Sequence, residues 1–538
     1  MQTLNYPLDH LPFSKLFKTY INNFEKLGDF FEVNPFSEKE IARKIEHFQF
    51  KGNRRATAEI LAAFNKKFDV NQAALDNIER LKDEDALAIV TGQQLGVYGG
   101  PIYTVLKAIS AIHLARQMEQ RFERPVIPVF WLADEDHDYD EIRRLYLLEN
   151  DELKQFELPP KTNHLAPVAE LQVPLEVDQL RSDVRKSLHK TEFFDDLWQL
   201  LDKCFTPKNT FLDASGRFMA ELFSKHGLIL AGSNLKEVKE LTGEYLKESI
   251  AGAGEIRKNL EQQTKALSSD FHQQVHLHDS NLFYLDDEAG RSKISSNGNG
   301  WQTDNGKKWQ TQELLEAIAT RPENFSPNVF LRPVLQDALL PALGYVAGPG
   351  EIAYYGQMKK MYHSFGLEMP VIFPRLSATI VEPAIDRVFK ELPFEFYEYD
   401  NRIEDLETAY VDRTEQIDIK VLFDEWKEKV SKIADPEKQK IADIDFTLKA
   451  SADKATSLYF NELDALKTKV YRAVKKRDEI QLKRIRRIQT HLFPGNGLQE
   501  RSISTIFYMN QYGLDIWDKV LNSLNEDEAF DHHKLLYL

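Results

Sequence analysis

The sequence predicts an α/β protein with a parallel-sheet core, inserted connecting segments and a long α-helical coiled-coil domain. Three observations carry that prediction. Residues 86–135 place two apolar runs, ALAIVTGQQ and VIPVFWLADE, on either side of the helical run IYTVLKAISAIHLARQ. Strand, helix, strand at this spacing is a βαβ unit with parallel strands and a right-handed crossover. Residues 326–390 return to the same alternation, with ALGYVA, EIAYYGQMKKMYHSF and MPVIFPRLSAT in succession. Residues 391–492 contain no glycine and are dense in charge, and Leu463, Leu466, Val470 and Ala473 keep a helical seam spacing that Ile485, Ile488 and Leu492 repeat.

Composition bounds the rest. A chain of 538 residues is too long for one hydrophobic core. With 69 basic and 85 acidic residues the net charge is −16, which argues against nucleic acid as a partner. No apolar stretch is long enough to span a membrane. The first residues, MQTLNYPLDHLPFSKLFKTY, lack a basic start followed by an apolar core, and the single cysteine, Cys204, cannot form an internal disulfide. The expectation is a cytoplasmic protein.

Taken in order, residues 1 to about 80 read as helices, from the apolar spacing in KLFKTYINNFEKL and TAEILAAFNKKF. Residues 86–93 form a buried strand, 102–119 an amphipathic helix and 126–135 a second strand. An insert of approximately residues 150–325 follows. It is helical at first, holds a further strand in LILAGSN and a helix over 236–270, and closes on a small β-meander over 282–310, where Gly and Asn turns separate short runs. The core thus covers residues 1–390 and the coiled coil 391–492, with Asp435-Pro436 as the turn of an antiparallel hairpin. Residues 493–538 are apolar enough to pack back on the core.

Ligands of a parallel sheet bind at the carboxyl ends of its strands. TGQQLG and ADEDHD both end strands, so they should face one cleft. The first candidate is the loop Gly92, Gln93, Gln94, Gly96, Gly99, Gly100 and Pro101. It lacks the P-loop lysine, since Lys107 comes two turns into the helix, and it lacks the Rossmann glycine spacing. What remains is a Gly-Gly-Pro that opens a helix onto an anion, or a tight turn without a ligand. The second candidate is Asp134, Glu135, Asp136, His137 and Asp138. Burying several acids together is costly, so they meet solvent, a cation or a substrate amine, with His137 as the general base.

The third candidate is Gly348, Gly350 and Glu351. GPGEIA fits a dinucleotide-binding variant, yet a carboxylate at a helix start repels phosphate and suits an ammonium group. Arg332 and Gln336 follow an apolar strand and can clamp a carboxylate. Arg375, Ser377 and Thr379 form a basic and hydroxyl loop suited to phosphates. His272, His276, His278 and Asp279 lie close together, but nothing else supports a metal and no metal ligands are assigned. Residues 467–487 carry ten Lys or Arg, read as a solvated helix face or as a docking site for a polyanion.

The motifs TGQQLGVYGGPIYTVLKAISAI, PVFWLADEDHDYDEI, LRPVLQDALLPALGYVAGPGEIAYYGQM, MPVIFPRLSAT and LQERSIS occur in this order. Over nearly the whole chain they resemble the bacillithiol biosynthesis cysteine-adding enzymes, the BshC family. The resemblance implies a Rossmann-like core with connecting inserts and a coiled coil that makes a homodimer. It implies a cysteine ligase that joins cysteine to the amine of glucosaminyl-malate. Similarity of such a core to class I aminoacyl-tRNA synthetases implies ATP as a co-substrate. In that frame Gly92 to Pro101 with Tyr103, Thr104 and Lys107 would bind nucleotide or the anionic end of the substrate. Glu135, Asp136, His137 and Asp138 would orient the amine. Arg332 and Gln336 would take a carboxylate, and Gly348, Gly350, Glu351 and Tyr354 would meet an ammonium-bearing substrate. Arg375, Ser377 and Thr379 stand where those synthetases keep a late phosphate loop. One cysteine excludes a thiolate-rich zinc site, so the selection of the cysteine thiol stays open. Two other classes also stay open on the residues: a nicotinamide dinucleotide oxidoreductase, from GPGEIA, and a non-catalytic coiled-coil scaffold.

Overall fold

The computed structural model describes residues 1–161, 166–286 and 290–538. They form two compact units, Met1–Ile380 with Gln499–Leu538, and Val381–Leu498. Among the described residues no helix is long and apolar enough to cross a membrane.

The first unit is built on five parallel strands: β1 (Leu87–Gln93), β2 (Val126–Leu132), β3 (Ile229–Ala231), β4 (Ala342–Ala347) and β5 (Val371–Pro374), in the order β5-β4-β1-β2-β3. β1 and β2 pair from Leu87 with Val126 to Gln93 with Leu132, so their carboxyl ends are level. Every residue of β2 is buried, which is why its sequence is continuously apolar rather than alternating. The chain moves outward from β1 through β2 to β3, then returns to the other side of β1 for β4 and β5. The strand order therefore reverses between β1 and β4, and a crevice opens there at the carboxyl ends.

Helix α1 (Ile102–Phe122) follows β1. The amphipathic pattern expected for it is not what forms: buried residues lie on most of its circumference, Thr104, Lys107 and Ser110 among them. Its position explains this. One side packs on β1 and β2, and another meets the C-terminal helices Gln499–Ser502 and Ile516–Asn522. A helix covered from two directions keeps no broad polar stripe.

The inserts are mixed. Arg144–Glu149 and Glu152–Glu157 form an antiparallel hairpin, and helices follow to Phe223. In LILAGSN only Ile229–Ala231 is strand. The meander is present as Leu282–Asp286, Gly290–Ser296, Trp301–Thr303 and Lys308–Trp309; its residues 287–289 lie outside the described residues. A further strand, Phe325–Pro327, pairs antiparallel with Leu282–Asp286 and completes a five-stranded sheet. The chain then enters helix α2 (Leu331–Leu339), so Arg332 lies on a helix rather than at a strand end. A third sheet joins Gln2–Tyr6, His533–Tyr537 and Ser377–Val381.

In the second unit, helices Ile419–Ile444 and Lys449–Arg477 pack together. The turn between them is not at Asp435-Pro436. Helix Ile419–Ile444 runs through Pro436, and the reversal comes at Asp445, whose backbone is extended and whose side chain accepts the Thr447 N–H at 2.9 Å. A short polar side chain that captures a nearby amide ends a helix more firmly here than a proline that removes one backbone bond. The basic stretch 467–487 faces acids of its own unit: Lys475 and Arg486 both pair with Glu407, Arg477 with Glu415 and Arg484 with Glu391.

Candidate active site

A cavity of about 600 Å³ occupies the crevice of the first unit. Its floor is the carboxyl ends of β1 and β2 together with helix α3 (Pro349–Tyr355), which follows β4. Its outer wall comes from the antiparallel insert, through Gln274, Arg291 and Asn328, and from Arg501 of the C-terminal segment.

The expected common cleft forms, but its residues sort differently from their sequence grouping. Gly92, Gln93, Gln94, Tyr103 and Lys107 line it. Gly96, Gly99, Gly100, Pro101 and Thr104 do not. The glycine loop turns instead into the C-terminal segment, where the Ile102 N–H donates to the Ile503 carbonyl at 3.0 Å and the Thr505 N–H to the Gly100 carbonyl at 3.0 Å. The helix start that was to hold an anion thus has its first amide bound by protein. Gly99 has φ +83°, and a side chain there would overlap the Phe218 ring. These glycines serve a tight turn and a close approach.

Lys107 lies on the cavity floor with its ammonium fully engaged. Nζ donates to the Gly92 carbonyl at 2.8 Å and to Gln93 Oε1 at 3.0 Å, and it pairs with Glu351 Oε2 at 2.6 Å. An ammonium has three donors, and all three have partners. Glu351 does receive an ammonium group, that of Lys107. Its carboxylate also accepts the Gly348 N–H and the Tyr345 hydroxyl, each at 2.8 Å. Burial pushes this carboxyl up, but Lys107, the Gly348 amide and Tyr345 more than offset that and hold it below its ordinary range. The Gly348–Glu351 turn therefore uses its own leading amide internally, which counts against the dinucleotide reading of GPGEIA.

The acidic run after β2 divides. Asp134, Glu135 and Asp136 line the cavity; His137 and Asp138 do not. His137 is half-buried with Nδ1 at 3.1 Å from the Glu135 carbonyl, and Asp138 caps the short helix Tyr139–Ile142 by accepting the Glu141 N–H at 3.0 Å. Glu135 pairs with the buried Lys239 through Oε1, while its buried Oε2 has no hydrogen-bond partner among the described residues. Asp134 accepts the Ser233 and Asn234 amides at 2.9 and 3.0 Å, and burial, then the adjacent Glu135, push its carboxyl up to about 7.

The lining also carries cations. Arg332 lines the cavity and donates to the Tyr354 hydroxyl at 3.3 Å; Gln336, one turn on, is fully buried away from it against Asp337. Arg375 is locked by Glu500 at 2.5 Å and by the Leu376 carbonyl at 2.7 Å, and still reaches the cavity. Ser377 and Thr379 face the other way. Ser377 donates to Glu500, and His533 lies at 2.8 Å from the Ser377 hydroxyl and 2.9 Å from that of Thr379. Alternate residues of a strand share one face, and here that face is filled by the side chains of His533 and Glu500. The basic and hydroxyl loop is thus a buried network with one arginine emerging. Arg291 and Arg501, both missed in the sequence, add two guanidinium groups with no carboxylate partner among the described residues. Arg501 sat in LQERSIS and Arg291 in the meander, neither of which carried a local signal of a site.

The histidines 272, 276 and 278 fall in an irregular segment, not a helix, and no group of His, Cys, Asp and Glu among the described residues could hold a metal ion.

Comparison with known proteins fits this geometry. Residues 1–376 match the family model described as "Bacillithiol biosynthesis BshC, N-terminal Rossmann-like domain", and residues 378–538 match "Bacillithiol biosynthesis BshC, C-terminal coiled-coil domain". Relatives named "Putative cysteine ligase BshC" include that of Chlorobaculum tepidum, 32% identical with 93% of each chain covered. That of Salinibacter ruber is 30% identical over 96% of this chain and 95% of its own. That of Geobacillus kaustophilus is 29% identical over 98% of both. With both family domains matched end to end on a Rossmann-like core and a coiled coil, the chain belongs to the BshC family of bacillithiol biosynthesis.

Proposed function

We propose that the protein is a cysteine ligase that joins the carboxyl of cysteine to the amine of glucosaminyl-malate, with ATP activating the carboxyl. The observation that carries this reading is the charge lining the cavity: the guanidinium groups of Arg332, Arg375 and Arg501 near Lys107 and Tyr103, and the carboxylates of Asp134, Glu135 and Asp136 at the end of β2, with Arg291 beside Glu135 and Asp136. The acceptor has the matching polarity, with carboxylates on its malate end and an amine on its sugar. Arg332 and Arg501 take the malate carboxylates, as planar forks suited to two-pronged contacts. The acidic end of β2 receives the amine.

A free carboxylate does not form an amide spontaneously, so the carboxyl needs a leaving group. ATP supplies one as adenylate, and the same arginines suit its phosphates. A protein dimer through the hairpin of the second unit completes the proposal. That hairpin exposes Ile433, Ile444 and Phe446, each more than 70% accessible.

The test is direct. Purified protein is incubated with cysteine, glucosaminyl-malate and ATP, and with each omitted in turn. Bacillithiol forming only in the complete mixture is the expected result. Product without ATP overturns the activation step, and no product in any mixture overturns the ligase.

A further inference from the structure

We infer that Asp134 is the catalytic residue that takes a proton from the acceptor amine, with Glu135 Oε2 orienting that amine; this rests on the ligase reading above. Four observations place the pair there. Asp134 follows β2 directly, is 1% exposed and still lines the cavity. Its carboxylate is held by the Ser233 and Asn234 amides, so it is fixed in place before any substrate arrives. Gly232 leaves room for it, since a side chain at 232 would overlap Asp134 Oδ2. Beside it, Glu135 is anchored through Oε1 by Lys239, which also donates to the Phe325 carbonyl at 2.6 Å, and its Oε2 is a buried acceptor without a donor among the described residues. A buried carboxylate oxygen without a donor is costly unless a ligand supplies one. An ammonium group supplies it.

The two acids differ in what surrounds them. Glu135 has a full cation against it. Asp134 faces two backbone amides and the Glu135 charge, with Lys239 beyond Glu135 and Arg291 near Glu135 and Asp136. That division suits one carboxylate to hold a cation and the other to accept a proton near neutral pH. His137, the base expected from sequence, lies outside the cavity.

One proton moves from the sugar ammonium to Asp134, leaving a lone pair on nitrogen. The nitrogen attacks the carbonyl carbon of the cysteinyl adenylate. The C–N bond forms, the C–O bond to phosphate breaks with its electron pair on the phosphate oxygen, and the second surplus proton leaves with AMP.

The experiment compares wild type with Asp134→Asn, which keeps an acceptor oxygen for one of the two loop amides and removes the ionisable carboxyl. Calorimetry measures glucosaminyl-malate binding, and single-turnover assays measure bacillithiol formation from cysteine, ATP and bound acceptor. The expected result is a fall of about 100-fold or more in the transfer rate, with acceptor affinity unchanged within about threefold. The wild-type transfer rate rises with pH through about neutrality, and D134N loses that rise. Transfer by D134N at the wild-type rate, or loss of acceptor affinity in step with transfer, overturns the assignment. If D134N does not fold, a wild-type transfer rate flat from about pH 5.5 to 8.5 overturns it and a rising one supports it. Wild type without any product refutes the ligase itself, whereas product from wild type with undiminished D134N refutes Asp134 alone.

Discussion

Lys107 Nζ lies 2.6 Å from Glu351 Oε2, so a residue of α1 and a residue of α3 meet across the point where the strand order reverses. Each helix follows one of the two central strands, β1 and β4. The pair therefore ties the two halves of the sheet together directly beneath the cavity. Its other contacts, to the Gly92 carbonyl and the Gly348 amide, fix the loops that leave those strands.

Removing one member should be worse than removing both. Lys107→Met leaves the Glu351 carboxylate without its cation in a largely dry site, which costs about 3 kcal/mol. Lys107→Met with Glu351→Gln removes the charge imbalance and recovers most of that loss. Urea unfolding midpoints of the wild type, both single variants and the double variant measure the coupling. A double-variant loss equal to the sum of the two single losses would show that the two residues do not act as a pair.

The glycine turn should prove structural rather than ligand-binding. Gly99→Ala forces a side chain into a left-handed conformation and against Phe218. The expected cost is about 1–3 kcal/mol of stability. Acceptor affinity, measured below the lowered melting range, should stay within about twofold of wild type. A selective loss of affinity without a loss of stability would return the loop to the site.

These two sites mark what was legible in the sequence. The parallel sheet was readable because buried strands such as VIPVFWL leave uninterrupted apolar runs, and the common cleft followed from two polar clusters at strand ends. Charge partnership was not readable. Lys107 and Glu351 are 244 positions apart, and nothing local says that each is the other's counterion. Likewise Ser377 and Thr379 look like phosphate donors until His533 and Glu500, from the far end of the chain, engage their hydroxyls. The helix α1 pattern misled for the same reason: its second covering layer comes from the far end of the chain. Arg291 and Arg501 were hidden because an isolated arginine becomes a site residue only through the segments that fold over it.

Arg332 should govern the acceptor and not cysteine. Arg332→Lys keeps a charge but loses the fork, and lysine cannot make two parallel contacts to a carboxylate. The expected result is a rise of about 10- to 100-fold in KM for glucosaminyl-malate, with the KM for cysteine unchanged. A matching rise for cysteine would place the arginine on the wrong substrate.

His533 should make the protein sensitive to mild acid. Burial lowers its pKa to about 4, so it is neutral in the fold between Ser377 and Thr379. Unfolded, a histidine titrates near 6.5. Between those values the unfolded chain binds the extra proton, so stability present above about pH 6.5 is lost as the pH falls towards 4. From pH 7 to 4.5 this term removes roughly 2 kcal/mol. Urea midpoints at the two pH values should fall further for wild type than for His533→Gln. The difference between the two proteins matters, because Asp134, raised to about 7, changes stability with pH in the opposite sense in both. Identical falls would mean that His533 takes up its proton in the fold as readily as in the unfolded chain.

The hairpin of the second unit should carry the proposed dimer. Val411, Ile419, Phe423 and Leu463 form its small core, near one end of the helix pair. Towards the turn, Ile433, Ile444 and Phe446 stay 73%, 83% and 77% accessible. Apolar side chains left uncovered along paired helices offer the seam on which a second copy would pack in the proposed dimer. Ile433→Glu with Ile444→Glu places charge on that seam without touching the hairpin core. Light scattering should give about half the wild-type mass for the double variant at the same concentration. The cavity lies wholly within the first unit, so acceptor binding by the double variant should persist. A variant that keeps the wild-type mass would put the interface elsewhere, and a wild type that is itself monomeric would remove it.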